Sequence, residues 1–266
     1  MGSGNQSDIL GKKIFFLYPS TAIQNEIVFE LIQQEFEAYV VRDQNALVPL
    51  LKRYPDSLVF IDIDEALPEP DWEKWIRDVM ADPALADIKV GIVSAREDEA
   101  LMRKYIASVK VQGGYTVIKS DINKAIRQLL EILHVFDAKG RRRFLRATSE
   151  NETLTTINIP YNNAYVNGVI KDISSTGLSC TFTEDPNLEK NSLCQDIQIK
   201  LQSTLLKLEG IVFGSRMDGL SKIYVVVFTQ RIDPSVRVKI RKYIQGNIQA
   251  AIDAELKSLS RGGSKT

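Results

Sequence analysis

The spacing of apolar residues changes once along this chain, and that change limits the folds open to it. From Lys13 to Val135, short apolar runs alternate with segments of helical periodicity. Beyond Arg146 the runs are short and separated only by turn formers. Parallel strands need a long crossover between them, usually a helix, whereas antiparallel strands need only a hairpin. The first half therefore reads as α/β and the second as all-β, and 266 residues suffice for two separate cores.

In the first half, Lys13 to Tyr18 (KIFFLY), Glu37 to Arg42, Ser57 to Ile63, Lys89 to Ser94 and Tyr115 to Ile118 read as strands. Uninterrupted apolar runs of this kind mark strands buried on both faces. Helices are expected over Asn25 to Phe36, Ala46 to Tyr54, Trp72 to Met80 and Asp98 to Ala107, and from an N-cap at Ser120 to Val135. Five strand-helix repeats imply a doubly wound, five-stranded parallel sheet of flavodoxin-like type over residues 10–138.

In the second half, Thr153 to Ile159, Ala164 to Asp172, Gly177 to Thr183, Asp196 to Leu201, Leu205 to Phe213 and Lys222 to Thr229 read as strands. Pro160, Gly168, Pro186-Asn187, Asn191 and Met217-Asp218-Gly219 read as the turns between them. A small antiparallel β-barrel is the expected result, over residues 153–259 with a terminal helix after Asp233-Pro234. That helix places Val236, Ile240, Ile244, Ile248, Ile252 and Leu256 four residues apart, a spacing that drifts around the helix. Packing on its own barrel is the favoured reading, with a dimer contact left open.

Between the two halves, residues 139–152 form an arginine-rich linker containing Arg141-Arg142-Arg143-Phe144-Leu145-Arg146. Lys+Arg and Asp+Glu both number 34, so this cluster is not part of a generally basic chain, and bulk nucleic-acid binding is not expected. Guanidinium groups are planar and forked, which suits phosphate oxygens and the acceptor edge of guanine. Without a second element, such a run reads equally well as a solvated basic linker.

One histidine, His134, and two cysteines, Cys180 and Cys194, without metal-ligand spacing argue against a zinc site. The low cysteine usage fits a reducing compartment. No apolar run approaches bilayer-crossing length, and Met1 to Asp8 lacks the order of a signal peptide, so a cytoplasmic location is expected. Residues 1–4 and 261–266 read as loose ends. No nucleophile has a base nearby in sequence and no glycine-rich phosphate loop is present, so an enzyme is not expected.

The first half resembles the receiver domain of bacterial response regulators. Asp62 ends strand three, Ser94 strand four and Lys119 strand five. The resemblance implies that they correspond to a phosphoacceptor, a switch hydroxyl and a phosphate-pairing lysine. The position after strand one reads Tyr18-Pro19-Ser20, where a receiver carries the acidic pair that holds magnesium. Ser120 stands where the family usually has proline. The domain therefore reads as degenerate and metal-free, and the plain reading of Asp62 is a solvated carboxylate at a strand end.

The second half resembles the PilZ family, whose signature is R-x-x-x-R followed by [D/N]-x-S-x-x-G. Arg142 and Arg146 supply the first element, and Asp172-Ile173-Ser174-Ser175-Thr176-Gly177 the second. The resemblance implies a barrel that binds cyclic di-GMP, with Arg141, Arg142, Arg146, Asp172, Ser174 and Gly177 as ligand residues and no further cofactor. Arg143 falls between the motif positions. The plain alternative for the second element is a turn whose Asp and Ser side chains bond the backbone. A non-enzymatic receptor is implied, acting as monomer or homodimer on a protein partner in motility, adhesion or exopolysaccharide synthesis. Two other functions remain open: a response regulator phosphorylated at Asp62, and an adaptor that binds no ligand.

Overall fold

The structure, a computed structural model, describes residues 11–119, 121–149, 154–161 and 164–262. The chain divides into two compact units, one made of residues up to 143 together with those from 249 onward, the other of residues 144–248.

The first unit is built on a parallel sheet with strand order β2-β1-β3-β4-β5, comprising β1 Ile14–Leu17, β2 Ala38–Val41, β3 Leu58–Asp62, β4 Lys89–Ser94 and β5 Tyr115–Val117. Every residue of β1 and β3 is buried, as the uninterrupted apolar runs require. Helices connect the strands, α1 Phe29–Gln33, α2 Gln44–Arg53, α3 Glu69–Ala81 and α4 Glu99–Arg103, and α5 Ile122–Val135 follows β5. The expected doubly wound fold is present, and its strand order reverses between β1 and β3, the place where such folds set their sites.

Several helix boundaries differ from the expectation. The expected helix 25–36 is instead a π-helical segment, Ile23–Val28, continued by the short α1. Likewise α4 runs on into π-helical Lys104–Val109. Ser120, expected to cap α5, lies outside the described residues. The cap is Asp121, whose carboxylate accepts from the Lys124 N–H at 3.0 Å. Asp43 starts α2 two residues earlier than expected, accepting from the N–H groups of Asn45 and Ala46 at 2.9 and 3.0 Å.

The second unit is a closed antiparallel barrel of β8 Ala164–Ser174, β7 Thr155–Tyr161, β10 Leu193–Leu201, β11 Thr204–Asp218, β12 Ser221–Phe228 and β9 Gly177–Phe182. Pairing of β9 back to β8 closes the ring and removes its edges. A further short strand, β6 Arg146–Thr148, pairs with the end of β8. The expected strand starting at Thr153 begins at Thr155, and Thr153 lies outside the described residues. Pro160 and Gly168, expected in turns, lie within β7 and β8.

The last helix, α6 Pro234–Gly262, begins with the Ser235 N–H donating to the Asp233 carboxylate at 2.7 Å. Ile240 and Ile244 enter the barrel core beside Ile197, Ile199 and Leu208, and Val236, Tyr243 and Ile248 pack against it. The early apolar positions of the helix thus serve the barrel. Residues from 249 belong to the first unit, where Ile252 is buried.

Gly168 is where two strands and a side chain converge. A Cβ there would meet the Thr181 carbonyl oxygen at 2.4 Å and Phe182 Cδ1 at 2.8 Å. Gly168→Ala is expected to destabilise the barrel by about 1–3 kcal/mol through overpacking, measured as a lower denaturant midpoint with unchanged slope.

Candidate ligand site on the barrel

The register of β8 is the starting point. Ile170 pairs with Cys180, but the next pair is Asp172 with Ser179, so one extra residue, Lys171, is inserted in β8. Such a bulge reverses the side-chain alternation. Ile170 and Ile173 both face the core although they are an odd number of positions, three, apart, and Asp172 turns to the opposite face. There the Asp172 carboxylate accepts from the hydroxyl of Ser179 and meets Arg146 Nη1 at 3.3 Å.

Arg146 reaches that place because it opens β6. Arg146 pairs with Ser174, Ala147 with Ile173 and Thr148 with Asp172. The sequence pattern reads Ala147 and Thr148 as part of the 139–152 linker. They form a strand because Ala147 fits the core at Ile173 and the end of β8 leaves its ladder open on that side. The second arginine of R-x-x-x-R is therefore part of the sheet and brought directly to the D-x-S-x-x-G element.

The remaining motif residues have local tasks. Ser174 and Gly177 pair across a two-residue hairpin, with Ser175 and Thr176 at its tip. The Ser174 hydroxyl donates to the Gly177 carbonyl at 3.1 Å and accepts from the Thr176 N–H at 3.3 Å. The side chain thus fixes the turn, as the plainer reading of the motif anticipated. Gly177 has no left-handed backbone angle. A Cβ at Gly177 would meet the Val226 carbonyl oxygen at 2.6 Å and Val227 Cα at 3.3 Å. The barrel itself, through the close approach of β12, requires glycine here.

Arg141, Arg142 and Arg143 are exposed and irregular in conformation. None of the three makes a hydrogen bond or ion pair among the described residues. Their division into the first unit leaves Arg146, Asp172, Ser174 and Gly177 as the motif residues that the barrel unit itself assembles. Sequence reasoning missed Ser179. Its signal was the alternation of β9, where Leu178 and Cys180 face inward, but matching Ser179 to Asp172 needs the bulge.

The receiver-like positions are arranged differently from the expectation. Asp62 is only 2% exposed, not solvated, because β3 ends beneath the loop that follows β1. Its carboxylate accepts from the backbone N–H of Ser20 at 3.0 Å and of Asp64 at 3.2 Å. Ser20 thus stands where the acidic pair would be and points a backbone donor at Asp62. Burial pushes the Asp62 carboxyl up to about 6 against the pull of these two N–H donors, and the charges of Asp64 and Glu65 add to the rise.

Ser94 donates its hydroxyl to Asp64, at 2.9 Å to Oδ2, and Arg96 Nε meets Asp64 Oδ1 at 2.5 Å. The Ala95 N–H also donates to Asp64 at 2.6 Å. Lys119 is exposed and makes no ion pair among the described residues. The structure therefore gathers Ser94 and Arg96 around Asp64, leaving Asp62 with backbone donors.

No group of histidine, cysteine and carboxylate side chains suited to a metal is present among the described residues. No helix among them is long and apolar enough to cross a membrane. Cys180 and Cys194 are buried in the barrel, and burial raises the Cys180 thiol to about 12, with Cys194 adding to the rise.

Residues 140–246, which include the barrel, match the family model described as PilZ domain. Solved structures similar to this chain include YcgR of Escherichia coli in complex with c-di-GMP, at 15% identity, covering 45% of this chain and 51% of that one, with a TM-score of 0.39. The MrkH–c-di-GMP complex of K. pneumonia is 20% identical, with 45% of this chain and 57% of that one covered and a TM-score of 0.38. The inhibitor of motility MotI/DgrA of Bacillus subtilis is 13% identical, with 42% and 52% covered and a TM-score of 0.35. The chain thus spans about half the length of these structures. No curated protein matches it.

Two measurements test this geometry. Gly177→Ala is expected to lower the stability of the ligand-free protein by about 1–3 kcal/mol, read from denaturant unfolding without nucleotide. A role confined to ligand contact leaves that value unchanged. For Asp62, the folded carboxyl holds its proton to a higher pH than the unfolded one. Its stabilising contribution is complete below the unfolded value and is lost as pH rises through about 6. Between pH 4 and 7.5, Asp62→Asn should remove a decline of order 1–2 kcal/mol from the pH dependence of unfolding. The comparison uses slopes, because asparagine cannot accept from both N–H groups as the carboxylate does.

Proposed function

We propose that this protein is a cyclic di-GMP receptor whose nucleotide binds at the outer face of the barrel beside β6. The observation that carries the reading is the meeting of Arg146 and Asp172 across β6 and β8, within the PilZ-matching residues. Two separated sequence elements converge there on one small area.

The chemistry of the pair fits such a ligand. The side chains of Arg146 and Asp172 are 54% and 25% exposed and meet at 3.3 Å. An ion pair in that setting contributes only about 0–1 kcal/mol, so exchanging it for ligand contacts costs little. Arg146 would then be available to a phosphate oxygen or to guanine O6 and N7. Asp172, held in orientation by Ser179, would accept from guanine N1–H and N2–H, groups that adenine does not present in that arrangement. Arg141 and Arg142, exposed and without partners among the described residues, would add cations to a doubly charged ligand. Ser174 and Gly177 would shape the hairpin against which the nucleotide lies.

In this reading, engagement of the arginine segment by the nucleotide rearranges the two units and presents the change to a protein partner acting on motility, adhesion or exopolysaccharide output. The receiver-like unit would serve as a docking part. Its Asp62 is enclosed by the backbone donors of Ser20 and Asp64, which does not favour the phosphorylated alternative.

Calorimetric titration with cyclic di-GMP tests the reading. The wild type should bind one or two nucleotides, and Arg146→Ala and Arg142→Ala should each weaken binding tenfold or more, since charge-assisted hydrogen bonds contribute roughly 1.5–3 kcal/mol. Affinity should fall steadily with added salt. A wild type that takes up no nucleotide at low salt refutes the proposal.

A further inference from the structure

Arg146 lies on a strand of three residues, β6, and what holds that strand decides where the guanidinium stands. The Ser149 N–H bonds the Lys171 carbonyl at 2.9 Å, on the side of β8. Main-chain groups of successive residues point to opposite edges of a strand in an antiparallel ladder. Those of Ala147, opposite Ile173, therefore also face β8, and those of Arg146 and Thr148 face the other way. On that far side the Thr148 carbonyl accepts from Asn247 Nδ2, in α6, at 3.2 Å. A residue just past the matched stretch 140–246 thus reaches the strand that carries the second arginine of R-x-x-x-R.

Ile244 and Ile248 pack this turn of α6 onto the barrel core, which sets Asn247 against the end of β6. The residue before it is Gly246, exposed, where a Cβ would meet nothing within 4 Å. No close approach therefore calls for glycine, a poor helix former because its backbone has the most freedom to lose. Asparagine is a weak helix former as well, since its side chain competes for backbone partners. Here its amide goes to Thr148, so the turn of the helix and β6 support each other.

We propose that Asn247 is a positioning residue for Arg146, its amide holding β6 so that the guanidinium is in place for the nucleotide. The role rests on the cyclic di-GMP reading of the site and adds to the two motifs a third element, from the terminal helix. A strand of three residues with exposed side chains at both ends opens locally at small cost. A ligand that needs the docked strand then binds in proportion to the docked fraction. Such coupling is reciprocal. Nucleotide bound at Arg146 steadies β6, and through Thr148 it steadies the turn at Gly246 and Asn247. From residue 249 the same helix belongs to the first unit, so the effect enters a helix that runs on into that unit.

Titration with cyclic di-GMP and hydrogen exchange on the full chain test the role. Asn247→Ala favours the helix, and Asn247→Asp keeps the size but has no N–H to donate. Each should weaken binding about two- to tenfold, as for loss of one hydrogen bond. In an Arg146→Ala background, at low salt, the same changes should weaken it by less than about twofold, because the two residues act in series. Without nucleotide, both variants should speed exchange at the Ser149 amide roughly twofold or more, while Leu178 and Val226 in the barrel wall keep their protection. Nucleotide should slow exchange at the Gly246 amide in the wild type and not in Asn247→Asp. Equal affinity in wild type and both variants overturns the proposal. So does an Asn247 effect as large without Arg146 as with it, because the amide then serves the fold alone. A wild type that binds no nucleotide overturns the receptor reading and this role with it, whereas binding indifferent to Asn247 overturns this role alone.

Discussion

The candidate site rests on one extra residue in β8. Without the bulge at Lys171, strict alternation from Ile170 would send Asp172 into the barrel among Ile157, Ile199 and Leu208, where an unpaired carboxylate is costly. With it, Ile173 replaces Asp172 on the inner face and the carboxylate emerges beside Ser179. The same register lets Ala147 pack at Ile173, and so β6 adds to the end of β8 with Arg146 opposite Ser174. Core packing and site assembly are thus consequences of a single backbone irregularity.

The receiver-like unit shows polar groups redistributed around a retained fold. Asp62 keeps its place at the end of β3 but bonds backbone donors from Ser20 and Asp64. The Ser94 hydroxyl goes to Asp64, which is further anchored by Arg96. Burial raises the Asp62 carboxyl to about 6, against the pull of its two backbone N–H donors. The strand order places these groups where ligands of doubly wound folds gather, yet the local chemistry is that of a self-satisfied cluster.

Legibility differed between the two units for physical reasons. The apolar runs KIFFLY, SLVFIDI and KVGIVS marked β1, β3 and β4 because strands buried on both faces tolerate little else. The π-helical turns at Ile23–Val28 and Lys104–Val109 were not legible, since one added residue barely alters apolar spacing over so short a segment. In the barrel, Pro160 and Gly168 misled because both are common in turns. Here Gly168 is needed where Thr181 and Phe182 cross close above it. The strand Arg146–Thr148 was hidden by its polar neighbours.

The sequence alone determined the two fold classes, the break near residue 140, and the pair of motifs whose residue types suit an anionic guanine nucleotide. Those features are set by local periodicity and by side-chain chemistry, both readable in order along the chain. Tertiary structure decided which residues meet. The bulge in β8 turned Asp172 outward, β6 brought Arg146 across to it, and β12 imposed glycine at 177. It also sent the late residues of α6 to the edge of β2, where Gln249 bonds Val40. Register and edge pairing depend on partners far apart in sequence, so no local pattern encodes them.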